Sequence, residues 1–313
     1  MKEKILILIP VYNDNVSVNL LLQNIAATFD KRVNYSILLV NDGSTEPLKI
    51  VEGLPIQVLT INLKRNIGHQ KAIAIGLAYC RINIACSKIL IMDGDGQDNP
   101  EDALKLSQES GVNPDKIIVA SRRSRQESRS FKLFYILYKL LFKILTGKRI
   151  SFGNFMIIPK NVLDKLVFYS EIWNHLPGGI IKSGLPFNAV QIDRGKRYFE
   201  KSKMNFNALV LHGLGAISVF LDLIATRLLI FSFTLIVISL VIIISIIAIK
   251  SFTKLAIPGW TSTVVSSFIV ILLQSFLLSL FTIFLYLISQ SQRKFIPGDH
   301  YPDYIDTVVS RES

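Results

Sequence analysis

Two long stretches near the carboxyl end of the chain contain no charged residue, and they constrain the fold more than any other feature. One extends from residue 228 to 249 and the other from 264 to 290. A helix that crosses the hydrocarbon core of a bilayer needs roughly 20 consecutive apolar residues. Because uncharged runs of this length are rare in soluble cores, we predict two transmembrane helices rather than a pair of buried soluble helices.

The charges that flank these runs predict their orientation. Arg227 and the basic block 194–203 precede the first run, and two basic residues follow the second. Positively charged flanks stay in the cytoplasm. We therefore expect a multi-pass protein of the cell (inner) membrane, with residues 1–226 and the tail 291–313 on the cytoplasmic side.

The positive charge of the chain, +12 in total, is concentrated in the blocks 120–150 and 194–203. Such blocks bind nucleic acid, anionic lipid or phosphorylated substrates. The sequence has no helix-turn-helix, RRM or zinc signature, and the basic blocks border the apolar runs. We therefore predict the membrane surface and phosphate groups as partners, and no nucleic acid.

Residues 131–149 repeat lysines at a helical spacing among Phe, Leu, Ile and Tyr. Lys132, Lys139 and Lys143 share one face of such a helix. This pattern is typical of a helix that lies in the headgroup plane of a membrane. The alternative is an ordinary amphipathic helix on the surface of the soluble domain.

The amino-terminal part of the chain alternates short β-rich runs with helical patterns, which is typical of a mostly parallel sheet with helices on both faces. The β-rich runs are 5–9, 36–40, 57–61, 88–92 and 116–120, and the helical patterns between them include 16–29, 71–81 and 101–109. Ligands bind at the carboxyl ends of such strands. Clusters of polar residues directly follow the first, second and fourth β-rich runs, where the carboxyl ends of these predicted strands lie. No G-x-G-x-x-G follows the first run, which argues against nicotinamide binding.

Asp93 and Asp95 follow the apolar run 88–92 in the sequence Asp-Gly-Asp-Gly-Gln-Asp. Carboxylates two residues apart at the end of a buried strand suit Mg²⁺ or Mn²⁺, which complete their coordination with water and substrate phosphates. A calcium-binding EF-hand loop is a poor alternative. Such a loop needs a third ligand at a fixed spacing and a Glu at its twelfth position, and this segment has neither.

Together these motifs resemble those of inverting family 2 glycosyltransferases of the GT-A fold. The resemblance is to the branch of dolichyl-phosphate mannose synthases and bacterial polyprenyl-phosphate glycosyltransferases, and it covers about residues 5–205. The matching segments are Ile9–Asp14, Val40–Thr45, Asn66–Gly68, Asp93–Glu101, Ser121-Arg122 and Arg197 with Ser202-Lys203.

The resemblance implies a role for each group of site residues. It implies nucleotide-sugar binding by Pro10, Tyr12, Asn13, Asp14, Asp42 and Asp93, and metal binding by Asp93 and Asp95. It implies catalytic roles for Asp95, Arg122 and Arg129, and acceptor-phosphate binding by Arg197, Ser202 and Lys203. His69, next to Gly68, is a candidate phosphate contact or simply the start of a helix.

One departure from the family pattern bears on the acceptor. Many relatives carry an acidic residue in a Gly-Asp-Phe-Arg-like segment, whereas this chain has Asn154. A sugar hydroxyl needs a base to take its proton, but a phosphate monoester, with a second pKa of about 6, is already mostly ionised. The asparagine therefore favours a lipid phosphate as acceptor, although Glu171, Asp98 or Asp193 remain candidate bases. A second departure, Glu200 in place of a glycine, is expected to reshape the acceptor pocket.

The predicted organisation is a cytoplasmic α/β GT-A domain (1–205), a juxtamembrane helix (206–226), a transmembrane hairpin (227–290) and a cytoplasmic tail (291–313). The predicted function is transfer of a sugar from a UDP- or GDP-sugar to a polyprenyl phosphate. One alternative is transfer to a lipid-linked sugar hydroxyl in cell-surface polysaccharide or glycolipid synthesis, and another is a non-catalytic membrane scaffold. The branch also suggests a homo-oligomer.

Overall fold

A computed structural model gives the fold of the chain. It describes residues 4–29, 34–122, 129–193, 195, 197–199, 206–253 and 259–311, with the backbone alone at 122, 129–135, 206–209 and 212. The described part divides into two compact units. One lies within 1–138, 149–219 and 294–313, and the other within 139–148 and 220–293.

The strands and helices alternate through the first unit. The strands are β1 (Lys4–Val11), β2 (Asn34–Asn41), β3 (Val58–Leu63), β4 (Lys88–Ile91), β5 (Ile117–Arg122), β6 (Met156–Pro159), β7 (Phe187–Ile192) and β8 (Ile305–Arg311). The helices are α1 (Asn15–Phe29), α2 (His69–Asn83), α3 (Pro100–Val112), α4 (Arg129–Thr146), α5 (Lys160–Leu166), α6 (Leu176–Ser183), α7 (Phe206–Ser218), α8 (Leu221–Phe252), α9 (Trp260–Ser291) and the short α10 (Pro297–His300).

All the strands belong to one mixed sheet in the order β7-β5-β6-β4-β1-β2-β3-β8. The central strands β4, β1, β2 and β3 are parallel neighbours. Strand β6 runs antiparallel between β4 and β5, and β8 runs antiparallel along β3. The carboxyl ends of β1, β2, β3 and β4 therefore meet at one edge of the sheet, as the α/β prediction requires.

Both faces of the sheet are buried, which explains why β1 reads as a continuous apolar run rather than an alternating one. Leu6 and Leu8 point into a core with α2, whereas Ile5, Ile7 and Ile9 point into a second core with α1 and α3. The predicted α/β class with a mostly parallel sheet is confirmed.

Among the described residues, two helices are long and apolar enough to cross a membrane. They are α8 and α9, whose most apolar stretches of 18 residues have mean hydropathies of 3.0 and 2.5. Only 17% and 11% of their most apolar windows are buried, so most of their apolar side chains face outward instead of filling a core. Helix α8 begins before the uncharged run, at Leu221, and the preceding helix α7 ends at Ser218.

The chain after α9 contains more structure than the tail expected from the sequence. Trp173 stacks on Phe295 with ring centroids 3.9 Å apart, and Tyr304 packs edge-on against both rings. The last described residues then form β8, with Val308 opposite Ile61 of β3. Residues within 291–313 thus complete the sheet.

Candidate active site

The loop after β1 is tied to the loop after β2 through Asn13. This residue has a φ of 49°, in the left-handed region that asparagine tolerates better than most residues. Its backbone N–H donates to Oγ of Ser44 (2.9 Å), and its Oδ1 accepts from the backbone N–H of Thr45 (2.9 Å). Next to it, Tyr12 is 44% exposed, so its ring is available to a ligand.

The neighbouring residues of this loop have structural contacts of their own. Pro10 is buried within β1. Oδ1 of Asp14 accepts the backbone N–H of Ser17 in the first turn of α1 (3.3 Å). A carboxylate in this position satisfies a helix N–H group that has no partner within the helix. The structure therefore places these two predicted nucleotide contacts in the framework of the loop.

Asp42 holds the loop after β3. Its two carboxylate oxygens accept the backbone N–H groups of Ile67 (2.8 Å) and Gly68 (2.9 Å), and the residue is only 3% exposed. Burial raises the pKa of Asp42 above its ordinary value, although these two hydrogen bonds and nearby positive charge act to lower it. The next residue, Gly43, has a φ of 62°, and a Cβ there would lie 2.4 Å from the backbone of Arg65.

Beyond this loop, α2 begins at His69, whose Nε2 lies 3.2 Å from Oδ1 of Asp93. Burial acts to lower the pKa of His69, but the side chain keeps 45% of its surface exposed. The negative charges of Asp93, Asp42 and Asp98 outweigh this effect and raise the pKa of His69. This part of the site therefore attracts a cation.

Asn154, at the departure from the family pattern, contacts the same histidine. Its Nδ2 lies 3.1 Å from Nε2 of His69, and its Oδ1 accepts from Nε2 of Gln70 (3.1 Å). Oε1 of Gln70 in turn accepts the backbone N–H of Leu176 (2.8 Å). The sequence did not indicate Gln70, because a glutamine one residue into a helix has no distinctive spacing.

Asp95 forms an ion pair with Arg197, whose Nε lies 3.0 Å from Oδ2 of the carboxylate. The other oxygen, Oδ1, accepts the backbone N–H of Gln97 (3.0 Å). Two backbone hydrogen bonds join the same segments, from Gly195 to the carbonyl of Gln97 and from Tyr198 to that of Asp95. A predicted metal ligand and a predicted acceptor contact therefore lie side by side.

The backbone of Asp93 is fixed by a buried carboxylate in the same loop. Oδ2 of Asp98 accepts the N–H of Asp93 (2.9 Å), and Asp98 is 1% exposed. Asp98 therefore holds the loop that carries the two predicted metal ligands, which makes it a poor candidate for the base that the sequence left open.

The residues present suit a divalent ion in their chemistry. The side chains of Asp93 and Asp95 are 35% and 31% exposed and offer the hard oxygen ligands that Mg²⁺ and Mn²⁺ prefer. No three His, Cys, Asp or Glu side chains in the described part of the chain form a ready set of metal ligands. The carboxylate of Asp95 is engaged by Arg197, and a competing ion has to displace this guanidinium.

Several predicted site residues are not described. Ser202 and Lys203 lie outside the described residues, and Arg122 and Arg129 are described in their backbone alone. The backbone places Arg122 as the last residue of β5 and Arg129 as the first residue of α4.

Comparison with known proteins gives the same class of protein as the motifs. The model of the family described as "Glycosyl transferase family 2" matches residues 6–169, half of the chain. An uncharacterized glycosyltransferase of Bacillus subtilis (YkcC) is 26% identical over 83% of this chain and 81% of its own length. The undecaprenyl-phosphate 4-deoxy-4-formamido-L-arabinose transferase of Sodalis glossinidius is 26% identical over 66% of this chain. This chain spans 65% of that transferase's length.

Among solved structures, glucosyl-3-phosphoglycerate synthase of Mycobacterium tuberculosis is similar in fold. That structure contains Mn²⁺, UDP-glucose and phosphoglyceric acid. The TM-score is 0.53 at 14% identity, over 71% of this chain and 80% of the synthase. The likeness confirms the expected GT-A fold of the sheet-containing unit.

Proposed function

The chain belongs to glycosyl transferase family 2, and on that premise we propose that it transfers one sugar from a UDP- or GDP-sugar to a polyprenyl phosphate, with inversion at the anomeric carbon. The observation that carries the proposal is the convergence of four loops at one edge of the sheet, with carboxylates and Arg197 in contact. The undecaprenyl-phosphate transferase named above supports the lipid-phosphate acceptor.

The nucleoside is proposed to bind across the loops that follow β1 and β2. Asn13 joins these loops through Ser44 and Thr45, and Asp42 fixes the third loop beside them. A framework already held by such hydrogen bonds loses little freedom when the ligand binds. In this arrangement Tyr12 contacts the nucleoside, while Pro10, Asn13, Asp14 and Asp42 shape its pocket.

Asp93 and Asp95 are the proposed holders of Mg²⁺ or Mn²⁺. When bound, the ion supplies Lewis-acid stabilisation of the negative charge that develops on the departing nucleoside diphosphate. The protein's part is to keep both carboxylates at the end of β4, through Asp98 for the first and the N–H of Gln97 for the second. Arg122 and Arg129 are proposed to contact phosphate groups, as guanidinium groups commonly do.

The environment of residue 154 supports a phosphate as the acceptor. Asn154 contacts Gln70 and His69 through its amide, which cannot act as the base that a carboxylate would supply. Elsewhere, Glu171 lies 3.3 Å from Lys182, so it is already paired. An ionised lipid phosphate needs no such base. Arg197, Ser202 and Lys203 are proposed to bind that phosphate.

Attachment to a membrane is proposed through α8, α9 and α4. The outward-facing apolar side chains of α8 and α9 suit lipid better than water. In α4, Ile136, Leu140 and Ile144 are all more than half exposed, close to the exposed Lys139 and Lys143. Such a helix lies in the headgroup layer. We propose that the sheet-containing unit faces the cytoplasm.

The test is transfer of radiolabel from a panel of UDP- and GDP-sugars to undecaprenyl phosphate by the purified full-length protein with Mg²⁺ or Mn²⁺. Label that enters the organic phase, and fails to do so with EDTA, is the expected result. Donor consumption with label only on a lipid-linked sugar hydroxyl would instead identify the alternative glycosyltransferase. No donor binding in calorimetry and no turnover would overturn the proposal.

A further inference from the structure

We infer that Tyr198 is a positioning residue for the transfer reaction: it holds Arg197 against the loop after β4, where the guanidinium meets the acceptor phosphate. The inference rests on the proposed function, which assigns Arg197 to that phosphate. Tyr198 follows Arg197 directly in the chain, at a position that the motif Arg197, Ser202, Lys203 leaves open.

The strand that leads to Arg197 does not by itself place this residue at the site. Strand β7 ends at Ile192, and in the sheet β5 and β6 separate it from β4. The chain after β7 therefore crosses the ends of two strands before it reaches Asp95 in the loop after β4. Contacts of the segment 195–199 itself must hold it there.

Tyr198 supplies contacts with both the loop and helix α1. Its backbone N–H donates to the carbonyl of Asp95 (3.2 Å). Its ring packs so closely against Gly96, which has a φ of 83°, that a Cβ on this glycine would lie 2.6 Å from the ring. Its hydroxyl accepts a hydrogen bond from Nδ2 of Asn24 in α1 (2.7 Å). The side chain thus ties the segment to two separate parts of the fold.

This attachment matters for the neighbouring guanidinium. The side chain of Arg197 is only 26% exposed, and its Nε lies 3.0 Å from Oδ2 of Asp95. Phosphate binding by a guanidinium depends on the geometry of its paired N–H groups. A side chain that is already held in place loses less conformational freedom when the ligand binds. Loosening Tyr198 should therefore weaken the binding of the acceptor.

The test measures the KM for undecaprenyl phosphate with the purified full-length protein at saturating nucleotide sugar and Mn²⁺. Tyr198→Phe and Asn24→Ala each remove the hydrogen bond between these two side chains, and Tyr198→Phe keeps the ring. Each variant should raise this KM about threefold to tenfold, which is the effect of one hydrogen bond. The KM for the nucleotide sugar should stay within about twofold. The double variant should show no further increase, because either change alone removes the contact.

The chain offers a matched control for each variant. The hydroxyl of Tyr301 also accepts from an asparagine amide, that of Asn83 (3.1 Å), at the opposite end of α2 from the site. Tyr301→Phe removes the same kind of hydrogen bond and should leave both KM values unchanged. Gln23→Ala, at an exposed position next to Asn24 in α1, should do the same.

Two further measurements separate positioning from a purely structural role. In an Arg197→Ala background, Tyr198→Phe should cause no additional rise in the KM for the lipid phosphate. Hydrogen exchange of peptides that span 195–199 should be faster in Tyr198→Phe and Asn24→Ala than in the wild type, because the hydrogen-bonded N–H of Tyr198 opens more often. Tyr301→Phe should not change this exchange.

Three results would overturn the inference. Faster exchange with an unchanged KM for the lipid phosphate would make Tyr198 merely structural and leave the proposed function intact. An equal rise in KM with and without Arg197 would show that the effect does not pass through this residue. A wild type that transfers no sugar to the lipid phosphate would overturn the proposed function and the role of Tyr198 with it. Asn24→Ala, at an exposed position, keeps the test decisive if Tyr198→Phe does not fold.

Discussion

At the scale of single residues, the site is built from carboxylates with different tasks. Asp42 and Asp98 accept backbone N–H groups and are nearly buried, whereas Asp93 and Asp95 keep about a third of their surface exposed. The buried carboxylates hold loops in place, and the exposed ones are available to an ion. This division underlies three predictions.

Replacing Asp95 tests its role in turnover. Asp95→Asn should reduce sugar transfer by at least about 100-fold, because a metal contributes several kcal/mol of charge stabilisation in such a reaction. Its yield in membranes and its thermal unfolding in detergent should match the wild type. Asp303→Asn, at a carboxylate that is 75% exposed in the segment after α9, is the control that should retain activity. Normal transfer in Asp95→Asn would remove this residue from the site.

Asp42 is expected to contribute to the stability of the folded protein and to the way this stability changes with pH. Asp42→Asn leaves one of the N–H groups of Ile67 and Gly68 without an acceptor, which costs about 1–3 kcal/mol. Because burial raises its pKa in the folded state, Asp42 stabilises the protein most below about pH 4 and less as the pH rises through the raised value. Urea unfolding at several pH values should show the stability difference between wild type and variant shrinking over that window; a difference that grows would contradict this sign.

Arg197 is expected to compete with the ion for Asp95. Arg197→Ala should raise Mn²⁺ affinity by up to about fivefold, since a partly exposed ion pair contributes about 1 kcal/mol or less. The same variant should increase the KM for lipid phosphate. Mn²⁺ titration followed by electron paramagnetic resonance measures the first effect, with Lys105→Ala, which removes the partner of Asp102, as the matched control. Unchanged or weaker Mn²⁺ binding in Arg197→Ala would contradict the competition.

The sequence identifies the pair Asp93 and Asp95 but not their partners. Their spacing of two residues is a local feature that can be recognised in the sequence without knowledge of the fold. Arg197 lies about a hundred positions away, and its contact with Asp95 exists only because the 195–198 segment is hydrogen-bonded to the loop after β4. The contact between His69 and Asp93 depends in the same way on the order of strands in the sheet.

At the scale of elements, buried small polar residues are spaced by seven or fourteen positions in the two apolar helices. Ser232 and Ser239 are buried in α8, and Thr261, Ser275 and Thr282 are buried in α9. A seven-residue repeat keeps one face of each helix toward its partner. Small side chains let apolar helices approach closely.

This repeat predicts a difference between two serines of α8. Ser239→Leu should force a larger side chain into a packed face and cost about 1–3 kcal/mol. Ser245→Leu, at an exposed position of the same helix, should have little effect. Thermal unfolding of both variants in the same detergent is the measurement. Equal unfolding temperatures would show that the buried face does not stabilise the pair of helices.

The local elements of the sheet could be predicted, but its outer strands could not. The apolar runs anticipate β1 to β5 within about two residues, because a parallel strand buried on both faces is a continuous apolar segment. The outermost strand β8 pairs with β3 at a sequence separation near 245 residues. Pairing at that distance leaves no periodic signal in the chain.

At the scale of the whole molecule, the sequence places a GT-A sheet before two apolar helices, and the structure adds that the chain then returns to the sheet. Strand β8 is paired along β3, whose carboxyl end leads to the loop held by Asp42. Residues after the apolar helices therefore support the strand next to the loops that we propose to bind the nucleotide. The return of the chain to the sheet depends on the strand order, which the motifs do not encode.

The most direct test of the account is the chemical state of the lipid phosphate after reaction. The purified protein is mixed with undecaprenyl phosphate, Mn²⁺ and a nucleotide sugar that it turns over. The phosphorus signals of the lipid are then followed by ³¹P nuclear magnetic resonance. The account predicts that the monoester signal is replaced by a phosphodiester signal as nucleoside diphosphate appears. Release of nucleoside diphosphate with the lipid monoester unchanged would contradict it.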